Sequence, residues 1–253
     1  MFATPDLIFL AIAALGAGFI DAVAGGGGLI QLPALFVTLP GEVPATLFGI
    51  NKGSSVFGTL NAAWRYSRRI ALPWHVLLPA SAAALLCGYM GAAAVGWIPK
   101  DTMRPLVLLL LLGVWLYTWL SPGFGKSSGR MPARSLLPAL AVGGLIGFYD
   151  GFFGPGTGSF LIFAFVRIFG LDFLAASASA KFVNALTNIA ALAWFIPHGQ
   201  IVWPLVAVMA LCNVGGATLG SRLALKHGSG FVRIIFLLVV GALILRLGID
   251  MVK

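Results

Sequence analysis

DGFFGPGTGSF, residues 150–160, breaks an otherwise apolar stretch with an aspartate, a proline, four glycines and two hydroxyls. DAVAGGGGLIQ, residues 21–31, repeats the disruption: an aspartate again leads into clustered glycines. The surroundings decide what these breaks mean. The chain has 253 residues, 60% of them hydrophobic and 9% charged, and its mean hydropathy is +1.01. Soluble domains run at about 45–50% apolar and 25% charged, so this composition describes an integral membrane protein. Apolar runs long enough for a ~30 Å hydrocarbon core recur from end to end, which favours helices over the short alternating strands of a barrel. The fold class expected is all-α, polytopic and transmembrane.

A net charge of +9 raises nucleic acid as a partner, but the cations are scattered through short loops: Arg65, Arg68 and Arg69, then Lys126, Arg130 and Arg134, then Lys226 and Arg233. Loop cations that fix orientation explain them, and nucleic acid is discarded. Cys87 and Cys212 lie within apolar runs without a CxxC or His partner and read as small buried hydrophobes. The N-terminal stretch lacks the basic region of a signal peptide and reads as the first mature helix.

The two breaks belong to a duplication. A shift of 129 residues superposes Asp21 on Asp150, Lys52 on Lys181, Trp74 on Trp203 and Arg104 on Arg233, without a gap. Gly18, Phe19, Gly25, Gly27 and Gly91 match Gly147, Phe148, Gly154, Gly156 and Gly220 in the same register. Residues 1–120 and 136–253 are therefore two homologous transmembrane repeats, joined by the Gly-, Ser-, Pro- and Lys-containing linker 121–135.

Each half is expected to hold a helix at 7–24 (136–153), a short apolar piece at 29–39 (158–169) and long helices at 44–64, 73–97 and 103–120. The last three have counterparts at 172–196, 201–224 and 231–249. The total is eight full spans plus two short broken or re-entrant helices, eight to ten membrane segments in all. With RYSRR (65–69) and the linker on the cytoplasmic side, an odd number of crossings per half also places Arg167 and the loop 226–233 inside and makes the repeats inverted, the arrangement preferred here. Re-entrant short pieces with four crossings per half would make them parallel instead.

Backbone that leaves helical geometry at membrane depth survives only when buried in protein or lining a wet cavity. The glycines Gly25, Gly26, Gly27 and Gly28, with Gly154, Gly156 and Gly158, allow a sharp turn and bring bare N–H groups close to a ligand. Close helix packing is the plainer use of small residues, but four glycines in succession exceed it. The short helices that follow, the second opening at Thr157, point positive dipole ends into the cavity. Lys52 and Lys181 are the second signal, because an ammonium within a span marks a pathway or an internal partner. Lys52, Ser55 and Thr59 fall at helical spacing, as do Lys181, Asn184 and Asn188, and Asn51, Ser54 and Ser177 widen the stripe. Together they describe a site for an anion.

The structural alternative pairs each lysine with the aspartate of its own half, Asp21 with Lys52 and Asp150 with Lys181. Both uses can coexist, and a carboxylate released as its lysine engages substrate would serve as a coupling group. His75, His198 and His227 fall at helix ends without metal-ligand spacing. Trp64, Trp74, Trp97, Trp119, Trp194 and Trp203 sit near span ends like an aromatic belt. Arg104 and Arg233 open the last helix of each half as snorkelling residues. No Ser/His/Asp set, HExxH or Walker pattern occurs, so neither enzyme chemistry, nor a cofactor, nor a metal is expected.

GFIDAVAGGGGLIQLPAL (18–35), INKGSS (50–55), GFYDGFFGPGTGSF (147–160) and SAKFVNALTNIAAL (179–192) carry a resemblance to the sulfite exporter TauE/SafE family, also called the 4-toluene sulfonate uptake permease family, and especially to its YfcA-like members. The resemblance extends over nearly the whole chain. It implies a multi-pass permease of the bacterial inner membrane for small sulfur-containing anions such as sulfite, sulfonates or sulfoacetate, coupled to a proton or sodium gradient. The partners expected are that anion, the coupling ion and the lipid bilayer, with a homodimer the one protein assembly considered. A cation or metal permease built on the paired aspartates, and a membrane enzyme or accessory subunit that transports nothing, are the rival readings. The two halves do not match throughout: Asn51 faces Ala180, and Ser55 and Thr59 face Asn184 and Asn188.

Overall fold

The computed structural model describes residues 4–95, 112–113, 115–120 and 135–252. Most of the expected helix 103–120, the linker up to residue 134, and Trp97, Arg104, Lys126, Arg130 and Arg134 lie outside the described residues. The described chain is helical throughout, without a strand. Helices α1 (Thr4–Ala24), α2 (Gly28–Thr38), α3 (Pro44–Ser67) and α4 (Trp74–Ala93) come first. They are followed by α5 (Leu136–Phe152), α6 (Thr157–Phe169), α7 (Phe173–Phe195) and α8 (Trp203–Val252). Residues 115–120 form a further helical segment. Helices α2, α3 and α4 start at 28, 44 and 74, and α6, α7 and α8 at 157, 173 and 203, a difference of 129 each time.

Local chemistry explains these starts. Pro44 occupies the first turn of α3, where its missing N–H costs nothing. Asp172 caps α7, its carboxylate accepting from the Ala175 N–H at 2.9 Å. Gly156 before α6 and Gly170 after it are both left-handed. One expectation needs correction. The loop expected at 226–233 between two helices is a single point, because only Gly228 (φ 72°, ψ −167°) leaves helical geometry inside α8. Glycine alone reaches that conformation cheaply, so one residue replaces a loop.

Among the described residues, Pro5–Ala24, Trp74–Ala93 and Trp203–Ala242 are long and apolar enough to cross a membrane. Helices α3 and α7, of 24 and 23 residues, reach about 36 and 35 Å at 1.5 Å per residue. Their length also suffices, although their polar stripes lower their hydropathy. Large apolar side chains such as Ile12, Leu86, Leu137, Leu145 and Leu211 stay exposed, 66–77% each, on the outer faces. A lipid solvent is what makes such exposure tolerable.

The halves interlock by exchange. Helix α1 packs on α8 and α5 packs on α4, with glycines at the crossings. A methyl group on Gly91 would strike the Phe148 carbonyl, and one on Gly220 would strike the Phe19 carbonyl. These are one contact seen twice, displaced by the repeat. At the centre, α3 meets α7. Gly53 lies against Leu192, whereas thirteen residues later Tyr66 shares the Ala22 carbonyl with Ser177. The number rises along α3 as it falls along α7, so these two repeat-equivalent helices run antiparallel. The repeats are inverted.

Candidate functional site

Between the antiparallel helices, at mid-height, the two glycine corners face each other. Gly25 (φ +68°) and Gly154 (φ +87°), equivalent by the repeat, both adopt left-handed backbone, and Gly26 and Gly156 also have positive φ. A side chain at Gly25 would overlap the backbone of Gly158, so the corner of one half touches the start of α6 in the other. Ser159 donates to the Ala24 and Gly25 carbonyls across this contact.

A small, partly open cavity lies here. It is lined by Asp21, Gly26, Gly27, Gly28, Asn51, Lys52, Ser55 and Thr59 from the first half, and by Asp150, Gly154, Gly156, Thr157, Gly158, Asn184 and Asn188 from the second. Both short helices open on it, α2 at Gly28 and α6 at Thr157. The first N–H groups of a helix have no partner within it and carry its positive end. Leu29, Ile30 and Thr157 already donate their N–H groups to the Gly26, Gly27 and Gly154 carbonyls in the turns that open these helices, so the two helix starts contribute chiefly the positive end of the dipole.

Two candidates stand elsewhere. Gly25 is spent on the contact with Gly158. Lys181, fully buried, sits behind the wall, its Nζ 3.3 Å from where a side chain on Gly158 would begin. Of the residues that widen the stripe, Ser177 donates to the Ala22 and Val23 carbonyls. Ser54 donates to the carbonyls of Ile50 and Asn51.

The ion pairs correct the sequence reading. Lys52 Nζ lies 2.5 Å from Asp150 Oδ2, and Lys181 Nζ lies 2.9 Å from Asp21 Oδ2. Each lysine pairs with the aspartate of the other half, not its own. Ser177 and Lys181 share one face of α7 a turn apart, so the serine that holds the end of α1 brings Lys181 beside Asp21. Asp21 further accepts from the Gly26 N–H at 3.4 Å and from Thr59 Oγ1 at 3.5 Å. Lys52, Asp150 and Lys181 are 4% exposed or less, whereas Asp21 retains 16%.

Gln31 and Asn213, which the sequence reading passed over, join Ser54 in a buried polar cluster. Gln31 of α2 donates to Ser54 of α3. Asn213 of α8 donates to the Ala14 carbonyl and to Gln31 Oε1, at 3.3 Å each. Gly58 makes room for it, since a methyl there would meet Asn213 Oδ1. The available signal was that Gln31 and Asn213 are lone amides in apolar helices.

The model of the family described as sulfite exporter TauE/SafE matches residues 10–247. A Sinorhizobium protein named probable membrane transporter protein ORF9 is 36% identical over 244 residues, covering 96% of this chain and 93% of the relative. The probable membrane transporter protein YfcA of Escherichia coli K12 is 37% identical over 220 residues, covering 87% and 81%. A probable membrane transporter protein of Haemophilus influenzae is 36% identical over 221 residues, covering 86% and 84%. With two inverted halves closing on a polar cavity, and with this match along nearly its whole length, the chain is a membrane transporter that belongs to the sulfite exporter TauE/SafE family.

Proposed function

We propose that this transporter moves small sulfur-containing anions of the sulfite, sulfonate or sulfoacetate type across a bacterial inner membrane, coupled to a proton or sodium gradient. One observation carries the reading: the N-termini of α2 and α6, one from each half, and the ammonium of Lys52 line the same mid-height cavity. An anion there meets the positive ends of both helix dipoles and receives a charge-assisted bond from Lys52. Ser55, Thr59, Asn184 and Asn188 orient it with neutral donors. The Lys52–Asp150 and Lys181–Asp21 pairs each join the two halves, so rocking one half against the other strains both pairs together.

The test is uptake of radiolabelled sulfite and methanesulfonate into liposomes holding the purified protein. Lys52→Gln should lower uptake at least about tenfold, a loss of ~1.4 kcal/mol or more, while Lys52→Arg retains part of it. Lys52→Gln leaves Asp150 buried and unpaired, so Lys52→Gln/Asp150→Asn is measured alongside to separate loss of the binding charge from loss of the fold. Undiminished anion uptake in the double variant would sink the reading. Cation binding that persists or improves in Lys52→Gln would favour a cation permease built on Asp21 and Asp150.

A further inference from the structure

The charges around the cavity have a definite sum. Lys52 and Lys181 supply two positive charges, Asp21 and Asp150 two negative ones, and the two ion pairs cancel. Among the described residues no other charged side chain lines the cavity. What remains is the pair of helix N-termini at Gly28 and Thr157, each equivalent to about half a positive charge. The two together offer roughly one unit of positive potential. Asn51, 5% exposed, stands beside Gly28 with an amide oxygen that has no partner. An unsatisfied buried amide oxygen on a cavity wall takes a donor, which the proton of hydrogensulfite or a bound water supplies.

We infer that the site is matched to anions carrying a single negative charge, and that Asp21 sets this limit by cancelling Lys181. Resting on the anion site proposed above, the selection acts on charge rather than on shape. Lys181 is fully buried and Asp21 is the partly exposed member of the pair, so the carboxylate is what that pair presents to the cavity. Asp150 and Lys52 are both almost fully buried and hold each other. A monoanion balances the two helix ends. A dianion leaves a second charge uncompensated between largely buried walls, which such an environment disfavours. Hydrogensulfite and simple sulfonates satisfy the limit. Sulfate, the sulfite dianion and fully ionised sulfoacetate exceed it, so the limit narrows the anions proposed above to hydrogensulfite and the singly charged sulfonates.

Methanesulfonate and sulfate isolate this variable, since both are tetrahedral at sulfur and present oxygens of similar reach, but differ by one charge. Binding is read as a thermal shift of the full-length protein in detergent, and transport as uptake into liposomes, at one fixed pH. The wild-type protein should favour methanesulfonate over sulfate at least about tenfold in both. Asp21→Asn adds one net positive charge and should erase or reverse that preference. Because it also strands Lys181, Asp21→Asn/Lys181→Gln is the second variant. With neutrality restored, the monoanion preference should return, which a merely structural role of Asp21 does not require. Equal handling of the two anions by the wild-type protein overturns the charge limit while leaving anion transport standing, as does a folded Asp21→Asn with unchanged preference. If neither these anions nor sulfite bind or move, the anion site itself fails and the limit falls with it.

Discussion

Two glycines in the same helix stand in opposite situations and give the sharpest residue-scale contrast. Gly18 in α1 faces the Asn213 backbone, with no room for a methyl group, whereas Gly16, two residues earlier, has nothing within 4 Å. Gly16→Ala should be neutral or raise the melting temperature in detergent, since alanine in a helix interior is favoured by roughly 0.5–1 kcal/mol. Gly25→Ala should be severe, because φ +68° and the Gly158 backbone each forbid the side chain. A loss of about 3 kcal/mol or more is expected from strain and overpacking combined. Equal melting temperatures for the two variants would contradict the corner geometry. At this scale most of the cavity wall was legible, because lysine, aspartate and glycine runs are conspicuous in an apolar chain. The partner of each lysine was not. Sequence spacing orders residues within one helix, and the crossed pairs Lys52–Asp150 and Lys181–Asp21 depend on which half lies beside which.

The elements repeat in position but not in chemistry. Three hydroxyls serve the last carbonyls of α1: Tyr66 on Ala22, Ser177 on Ala22 and Val23, and Ser159 on Ala24 and Gly25. They satisfy acceptors that a helix end otherwise leaves open. Shifted by 129, the three donors become Phe195, Phe48 and Ile30. The cluster of Gln31, Ser54 and Asn213 likewise becomes Phe160, Val183 and Ala84. The α1–α2 corner is thus fixed by directional bonds, while its counterpart between α5 and α6 leans on apolar side chains and two local bonds, from Tyr149 to the Pro155 carbonyl and from Thr157 to the Gly154 carbonyl. Tyr66→Phe and Ser177→Ala should each lower stability by about 0.5–1.5 kcal/mol, seen as a lower melting temperature. Amide exchange should then speed up at residues 24–28 and not at 153–157. Equal acceleration at both corners would mean that the hydroxyls do not act locally. The sequence showed the corners through their shared aspartate and glycines, but not this difference. Single serines and tyrosines carry no spacing signal, and their partners are carbonyls on other helices.

Across the whole molecule, the inverted arrangement sorts the charges. Helices α1, α3 and the first part of α8 run parallel: Asn213 meets both Ala14 and Gly58, and Thr218 accepts from Asn61. Arg65, Arg68 and Arg69 at the end of α3 therefore share one end of the molecule with Arg222 and Lys226. Arg167, near the end of α6, joins them, because the following turn is tied through Asp172 to Ser229 just past the kink. Asp6 and Glu42, at the starts of α1 and α3, mark the opposite end. By the positive-inside rule the basic end is expected to face the cytoplasm. Two residues equivalent by the repeat, Arg69 and His198, are both exposed and should open onto opposite sides of the membrane. After Cys87 and Cys212 are replaced by alanine, Arg69→Cys in intact cells should react with a membrane-impermeant maleimide only once the cells are permeabilised. His198→Cys should react from outside without permeabilisation. Labelling of both from the same side would show the repeats to be parallel. That result would also break the crossed ion pairs, since only an antiparallel α3 and α7 bring Lys52 to Asp150 and Lys181 to Asp21.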